Sequence, residues 1–388
     1  MDNITLYARQ RGAISAAYAA ALLGLVYLFM KSALMGAPTV DFKYFWLAGD
    51  LWRDGVSPYS QAFAERAAET FPQTNHAQIF PYPPNWWLVS STLALMPHDL
   101  AAWIWRTISA VLTFASIALA WRAIRPREGF LHPLFAASLA YAFLMSATPM
   151  NLAIGQNAAV MLFGLAFVIF GACSQRPWAL AAGIVVLMLK PQLGAPVAAY
   201  FLMQKDGWKT VGAAALVTFV MCAPAFFSSL PAELTTDFLH QVSIYDTQET
   251  AFAVSMTGAR NITLLLTGAD ISSAWFALAS LAAGFAIGAL CRGNGLPLLI
   301  GSVLFITPLH TYDLVLAAPL LIFSFAMTGV AQWLLWAGLA IIFRANNIAA
   351  ATGLHYADTL SFPGASVASI GLLAILAGVL ADARSKKA

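Results

Sequence analysis

The sequence predicts an all-α, polytopic membrane protein, and three observations carry that expectation. First, 60% of the residues are hydrophobic and only 10% are charged, where soluble domains carry roughly 25% charged residues. Second, the apolar residues are gathered into runs of helix length, with a mean hydropathy of +0.75. Third, the charges sort by side. With an inside N-terminus, the inner loops hold Arg9, Arg11, Arg122, Arg125, Arg127, Arg176, Lys205, Lys209, Arg292, Arg384, Lys386 and Lys387. Of the acids, only Asp2, Glu128, Asp206 and Asp382 fall there. This is the positive-inside bias of a multi-pass protein with both termini cytoplasmic, and it turns Asp41 to the outer (periplasmic or luminal) side, with the inner (plasma) membrane and its periplasmic face the expected location.

The elements follow in order. Ala13 to Met35 is apolar after Arg9 and Arg11 and is longer than the roughly 7–15 residues of a signal-peptide core, so it reads as an uncleaved first span. A first outer loop, 36–99, follows. Within it, Gln61 to Phe71 forms an amphipathic helix that places Phe63, Ala67, Thr70 and Phe71 near one face, as suits the membrane surface. Pro81-Tyr82-Pro83-Pro84 blocks any helix until Asn85 and sets Trp86 and Trp87 at interfacial depth. Trp86 to Met96 is too short to cross, since about 20 residues are needed.

Further spans are expected near 100–121, 131–148, 158–172, 178–190, 192–204, 209–229, 273–291, 295–309, 313–328, 330–343 and 363–381. The total is about 10–13 transmembrane helices in one integral membrane domain covering 1–388. A second outer loop, 230–272, carries His240, Asp246, Glu249, Arg260 and Asn261.

Composition excludes several classes. A net charge of +3 is too small and too scattered for a nucleic-acid partner. Cys173, Cys222 and Cys291 are isolated, which argues against a disulfide framework. No phosphate-cradling glycine loop, zinc-protease motif, nucleophile elbow or dinucleotide fingerprint occurs. No cluster of acids suggests a metal cage, so no metal or other cofactor is expected.

The polar residues that remain converge on the outer side. Asp41 stands where the first span emerges, and reads either as a functional acid or as the N-cap of a short helix. Lys190, beside Pro191 and Gln192, interrupts a hydrophobic hairpin, so it either meets an anion or snorkels to the interface. Gln156 and Asn157 are either substrate ligands or hydrogen-bonding links between helices. His310 is either catalytic or structural. Tyr312 and the Trp pair are either interfacial anchors or substrate platforms. Arg260 and Asn261 end the second outer loop.

Together they supply one base and several cations. Glycosyl transfer from a phosphate leaving group needs that set, to deprotonate the acceptor and to stabilise the departing phosphate. On the outer face, the donor would be a lipid-linked phosphosugar.

The ordered motifs resemble glycosyltransferase family 87, whose members have the GT-C architecture and use polyprenyl-phosphate sugars. The residues are Asp41-Phe42, Phe45-Trp46-Leu47-Ala48-Gly49, Gly55-Val56-Ser57-Pro58-Tyr59, Tyr82-Pro83-Pro84, Gly155-Gln156-Asn157, Lys190-Pro191 and the Pro308 to His310 break. The resemblance implies Asp41 as general base of an inverting transfer and His310 at the donor phosphate. Lys190 and Arg260 are expected to add charge there, and Tyr44, Gln156, Asn157, Gln192, Asn261 and Tyr312 to bind substrate.

The implied donor is a polyprenyl-phosphate mannose or a related hexose or pentose, and the implied acceptor is a glycolipid or polysaccharide among the membrane lipids. The donor counts as substrate, not cofactor. One departure is that Tyr312-Asp313 follows the single His310, where the family often carries a Trp and a His pair. The rival reading is a membrane transporter or lipid-sugar flippase, for which broken helices and a buried lysine are also natural. No inverted repeat supports it.

Overall fold

Apolar runs punctuated by proline and glycine fold here into helices that end where those breakers stand. The computed structural model describes residues 41–72, 79–248, 251–291, 295–353 and 364–386, with part of 12–27. About half of the expected first span, and Arg9, Arg11, Glu249, Arg292 and Lys387, lie outside the described residues. Among the described residues the secondary structure is helical without a strand. One isolated antiparallel bridge joins Thr257 and Leu309.

Helices His98–Ile124, Gly207–Phe227, Ser273–Leu290 and Ala365–Ser385 are each long and apolar enough to cross a membrane. Two bent pairs reach that length and hydropathy only when taken together, as a broken span or a re-entrant loop would. Pro133–Leu144 meets Ala147–Ile154 at 50°, and Gly329–Phe343 meets Ala345–Thr352 at 76°. Several other expected spans are shorter apolar helices, among them Ala158–Cys173, Pro177–Leu187 and Leu296–Ile306. The chain is a multi-pass membrane protein of the expected all-α class. Several of its apolar helices are short and meet end to end at breaks.

Among its described residues, the stretch expected as the first outer loop, 36–99, holds three short α-helices, Phe42–Arg53, Gln61–Thr70 and Trp87–Leu93. The second buries Phe63 and Ala67, and Phe63 stacks on Tyr44 with ring centroids 6.2 Å apart. Arg66 ties it back through Asp50 and Asp54. Its apolar face is thus turned to the protein.

Trp86 is enclosed by the protein and does not stand at its surface as an interfacial anchor would. It is fully buried, and its indole N–H donates to the Leu189 carbonyl at 2.8 Å. Asn85 Nδ2 donates to Met188 O at 3.1 Å. Both carbonyls belong to the break after the Pro177–Leu187 helix, where the last backbone acceptors have no partner within the helix. The proline-rich stretch therefore finishes a helix end a hundred residues away.

Candidate functional site

Asp41 begins the Phe42–Arg53 helix, yet its side chain makes no capping hydrogen bond. Its backbone N–H donates to Ile154 O at 3.0 Å, which pins the start of that helix against the end of Ala147–Ile154. Gly155 makes this approach feasible. It adopts φ +75°, and a Cβ there would stand 2.5 Å from the Phe42 Cβ, so a side chain is excluded on both conformational and steric grounds.

The turn brings Gln156 beside Asp41, and Gln156 Nε2 donates to Asp41 Oδ2 at 2.8 Å. A carboxylate only accepts, which fixes the amide's orientation. The same Nε2 lies 3.3 Å from the Tyr82 hydroxyl. Asn151 Oδ1 caps the following helix through Ala158 N at 3.1 Å, a task that Asn157 leaves undone. The Asn157 side chain is fully enclosed, and neither of its polar atoms has a hydrogen-bond partner.

A second group stands at the same end of the bundle. Lys190 Nζ meets both Asp313 oxygens, at 2.8 and 2.7 Å, with the Asp313 side chain fully buried. The anion that Lys190 needs is therefore supplied within the chain. Asp313 also accepts from the His310 backbone N–H at 3.3 Å, closing a reciprocal cap on the turn Thr311–Ala317.

The His310 ring lies between the Tyr245 hydroxyl, 3.0 Å from Nε2, and the Ser255 carbonyl, 3.2 Å from Nδ1. A carbonyl only accepts, so Nδ1 carries a proton. In the neutral ring the Tyr245 hydroxyl then donates to Nε2. Tyr312 packs on the His310 ring at 5.0 Å, and Lys190 Nζ is 5.7 Å from the Tyr312 ring centroid.

The two groups are electrostatically joined. Tyr82 lies within range of the charges of Asp41 and Asp313 and of Tyr245. Tyr312 is in range of Asp313, Tyr245, Tyr82 and Asp41. Tyr44 sits beside Asp41, and burial followed by the Asp41 charge pushes its phenol up to about 12. Lys43 is pulled down by burial, which outweighs the nearby Asp41 charge.

Other expected residues stand elsewhere. Arg260 is buried and braces the 230–272 segment. Its guanidinium holds Asp270 Oδ1 at 2.8 Å and Asp246 Oδ1 at 3.4 Å, and it also reaches Ser273 and the Ala251 carbonyl. It touches the site through charge alone, within range of His310. Asn261 is fully buried, with Nδ2 on Ala253 O at 3.0 Å. Gln192 is half-buried in the first turn of Pro191–Leu202.

The sequence reading missed Asp313, Tyr245, Tyr82 and Asn85 as members of this group. Two of these had left a sign, Tyr82 in the Tyr82-Pro83-Pro84 motif and Asp313 as the departure from the family pattern after His310. Among the described residues, no group of three or more His, Cys, Asp or Glu is placed to hold a metal.

Chemically, the group offers an oriented carboxylate with a hydrogen-bonded amide, a paired lysine, and a histidine with a phenol, all at one end of a membrane bundle. A comparison with curated proteins finds no match. The model of glycosyltransferase family 87 matches residues 80–309, more than half of the chain. Asp41 and His310 flank the matched region. On that match and this fold, the protein is a membrane glycosyltransferase and belongs to glycosyltransferase family 87.

Proposed function

We propose that the protein transfers a hexose or pentose, with mannose the first candidate, from a polyprenyl-phosphate donor to a glycolipid or polysaccharide. The transfer would take place with inversion at the membrane face that carries Asp41, the periplasmic face if the N-terminus is inside. Asp41 accepts the proton of the acceptor hydroxyl. The acceptor oxygen attacks the anomeric carbon from the side opposite the phosphate, the bond from that carbon to the phosphate oxygen breaks, and polyprenyl phosphate leaves. Charge builds on the leaving oxygen, so fixed cations and donors near it lower the barrier. We assign the donor phosphate to Lys190, which would share its ammonium between Asp313 and the phosphate, and to His310 with Tyr245, whose mutual bond would open to meet it. Arg260 contributes its field from behind His310. Tyr44, Gln156, Gln192 and Tyr312 are assigned to the sugar and acceptor, and the enclosed Asn157 and Asn261 hold the walls behind them.

The observation that supports this reading best is the use of the Asp41 side chain. A structural N-cap would bond the amides of its own helix, whereas Asp41 meets Gln156 from the turn between two other helices. The test is transfer of labelled sugar from a panel of polyprenyl-phosphate donors to a membrane lipid extract. Asp41→Asn should lower turnover by about 10²–10⁴-fold, the range of general-base catalysis, while keeping fold and donor affinity. Undiminished transfer by purified Asp41→Asn would refute the assignment. If the wild type transferred nothing from any donor but moved a lipid across vesicles, the transporter reading would replace it.

A further inference from the structure

The opposite end of the bundle carries a cavity that this reaction does not use. It is about 620 Å³ in volume, within the roughly 300–1,000 Å³ of small-molecule sites. The Ala158–Cys173 helix starts beside Gln156 and ends at this cavity, and its 16 residues separate the two sites by about 24 Å.

Among the charged residues of the lining, two lysines outnumber one acid. Lys205 and Lys386 face the cavity together with Gln175, Thr210 and Asp206. The Asp206 carboxylate is held by Lys209 at 2.9 Å, and Lys386 is shared with Asp382 at 2.7 Å. Lys205 is exposed and makes no ion pair among the described residues. Helix ends of both polarities meet here, at Pro177, Gly207 and Leu296 for N-termini and at Cys173 and Leu202 for C-termini. Their dipoles largely cancel, and the side chains set the sign.

Strain gathers at the same place. Gln175 at φ 53° and Asp206 at φ 58° are the non-glycine residues with positive φ among those described, and both line this cavity. Such backbone costs of order 1–3 kcal/mol each and concentrates at binding sites. The deeper wall is apolar, formed by Leu180, Tyr200, Phe201, Leu296 and Phe323. Trp178 and Trp208, beside lining residues, are 62% and 65% exposed. Tryptophan so placed marks the headgroup depth of a bilayer.

We propose that this cavity binds the headgroup of an anionic phospholipid, with its phosphate at Lys205 and Lys386 and its acyl chains along Trp178 and Trp208. A soluble phosphate compound would satisfy the lysines but leave the apolar wall in water. A zwitterionic lipid would satisfy the wall but bring its own cation to the lysines.

The test is native mass spectrometry of the full, delipidated chain in neutral detergent, offered equimolar phosphatidylglycerol and phosphatidylcholine. One phosphatidylglycerol per chain should bind, with a preference of about fivefold, the factor one basic residue gives at an anionic surface. Lys205→Gln with Lys386→Gln should abolish that preference. Arg122→Gln with Arg127→Gln, the same charge change at the same end but off the cavity, should leave it intact. Equal binding of the two lipids, or equal loss in both double variants, would overturn the proposal. So would complete displacement by millimolar glycerol phosphate, which would make the ligand a soluble phosphate.

A second readout needs no variant. Cys173 lines the cavity, so phosphatidylglycerol should slow its alkylation by N-ethylmaleimide in the wild type, followed by peptide mapping. No slowing relative to phosphatidylcholine would also overturn the assignment.

Discussion

The Lys190–Asp313 pair permits a quantitative test of how the site is held together. Both Asp313 oxygens contact the ammonium, at 2.8 and 2.7 Å, and the two side chains are 10% and 0% exposed. At an effective dielectric of about 20, the gross attraction at this distance is roughly 5–6 kcal/mol. Lys190→Met leaves the Asp313 carboxylate buried with only the 3.3 Å His310 amide as partner, and Asp313→Asn leaves a buried ammonium.

Removing one member of such a pair typically costs about 3–5 kcal/mol. The double variant buries no charge at this position and keeps an amide able to cap the turn, so it should lose only about 1–2 kcal/mol. The expectation is a coupling of several kcal/mol, measured as loss of folded protein against a titration of sodium dodecyl sulfate in mixed micelles. Additivity within about 0.5 kcal/mol, as for independent sites, would refute the argument that the pair acts as one unit. The double variant then separates two roles. If Lys190 also meets the donor phosphate, the refolded double variant should bind donor more weakly than wild type despite its recovered stability.

Three further outcomes follow from the same geometry. Gln156→Leu removes the amide that stabilises the charged form of Asp41. The carboxyl should therefore bind its proton at higher pH, moving the acid limb of the rate profile upward, and an unmoved limb would count against Gln156 as its orienter. Gly155→Ala should destabilise the fold by about 1–3 kcal/mol and depress transfer more than donor binding, because the Cβ must displace Phe42 and with it Asp41; a thermal midpoint equal to wild type would contradict this. At Asp246, burial pushes the carboxyl up, but the Ser273 and Ser272 hydroxyls and Arg260 outweigh it and hold the group below its usual 3.8. The stability it lends is present above that value and is lost as the pH falls below it. Thermal midpoints should therefore decline at the acid end less steeply in Asp246→Asn than in wild type.

Helix positions were legible because hydropathy and breakers are local. The expected 158–172 became Ala158–Cys173, and 273–291 became Ser273–Leu290. Chain direction was less legible, since an apolar run reads the same whether straight or bent. The expected span at 131–148 is two helices meeting at 50°. The site was legible as a set of unusual polar residues but not as a set of pairs. Lys190 announced a need for an anion, while Asp313, 123 residues away, stood out only as a departure after His310 and not as the partner of Lys190. Trp86 was misread because an indole at the start of an apolar segment suits an interface as well as a core. Only the unsatisfied carbonyl of Leu189 decides between them.

The bonds from Asn85 and Trp86 to Met188 and Leu189 each span 103 residues. At about 5–20 residues per second of synthesis, that separation is roughly 5–20 s. During this interval the first loop waits with its closing partners unmade. Asp41 waits longer than its own helix requires, because Gln156 and the Ile154 carbonyl are also made later. A nascent chain thus carries its acid unoriented until the middle of the sequence has been inserted. The order of synthesis itself keeps a half-built membrane protein from presenting a finished site.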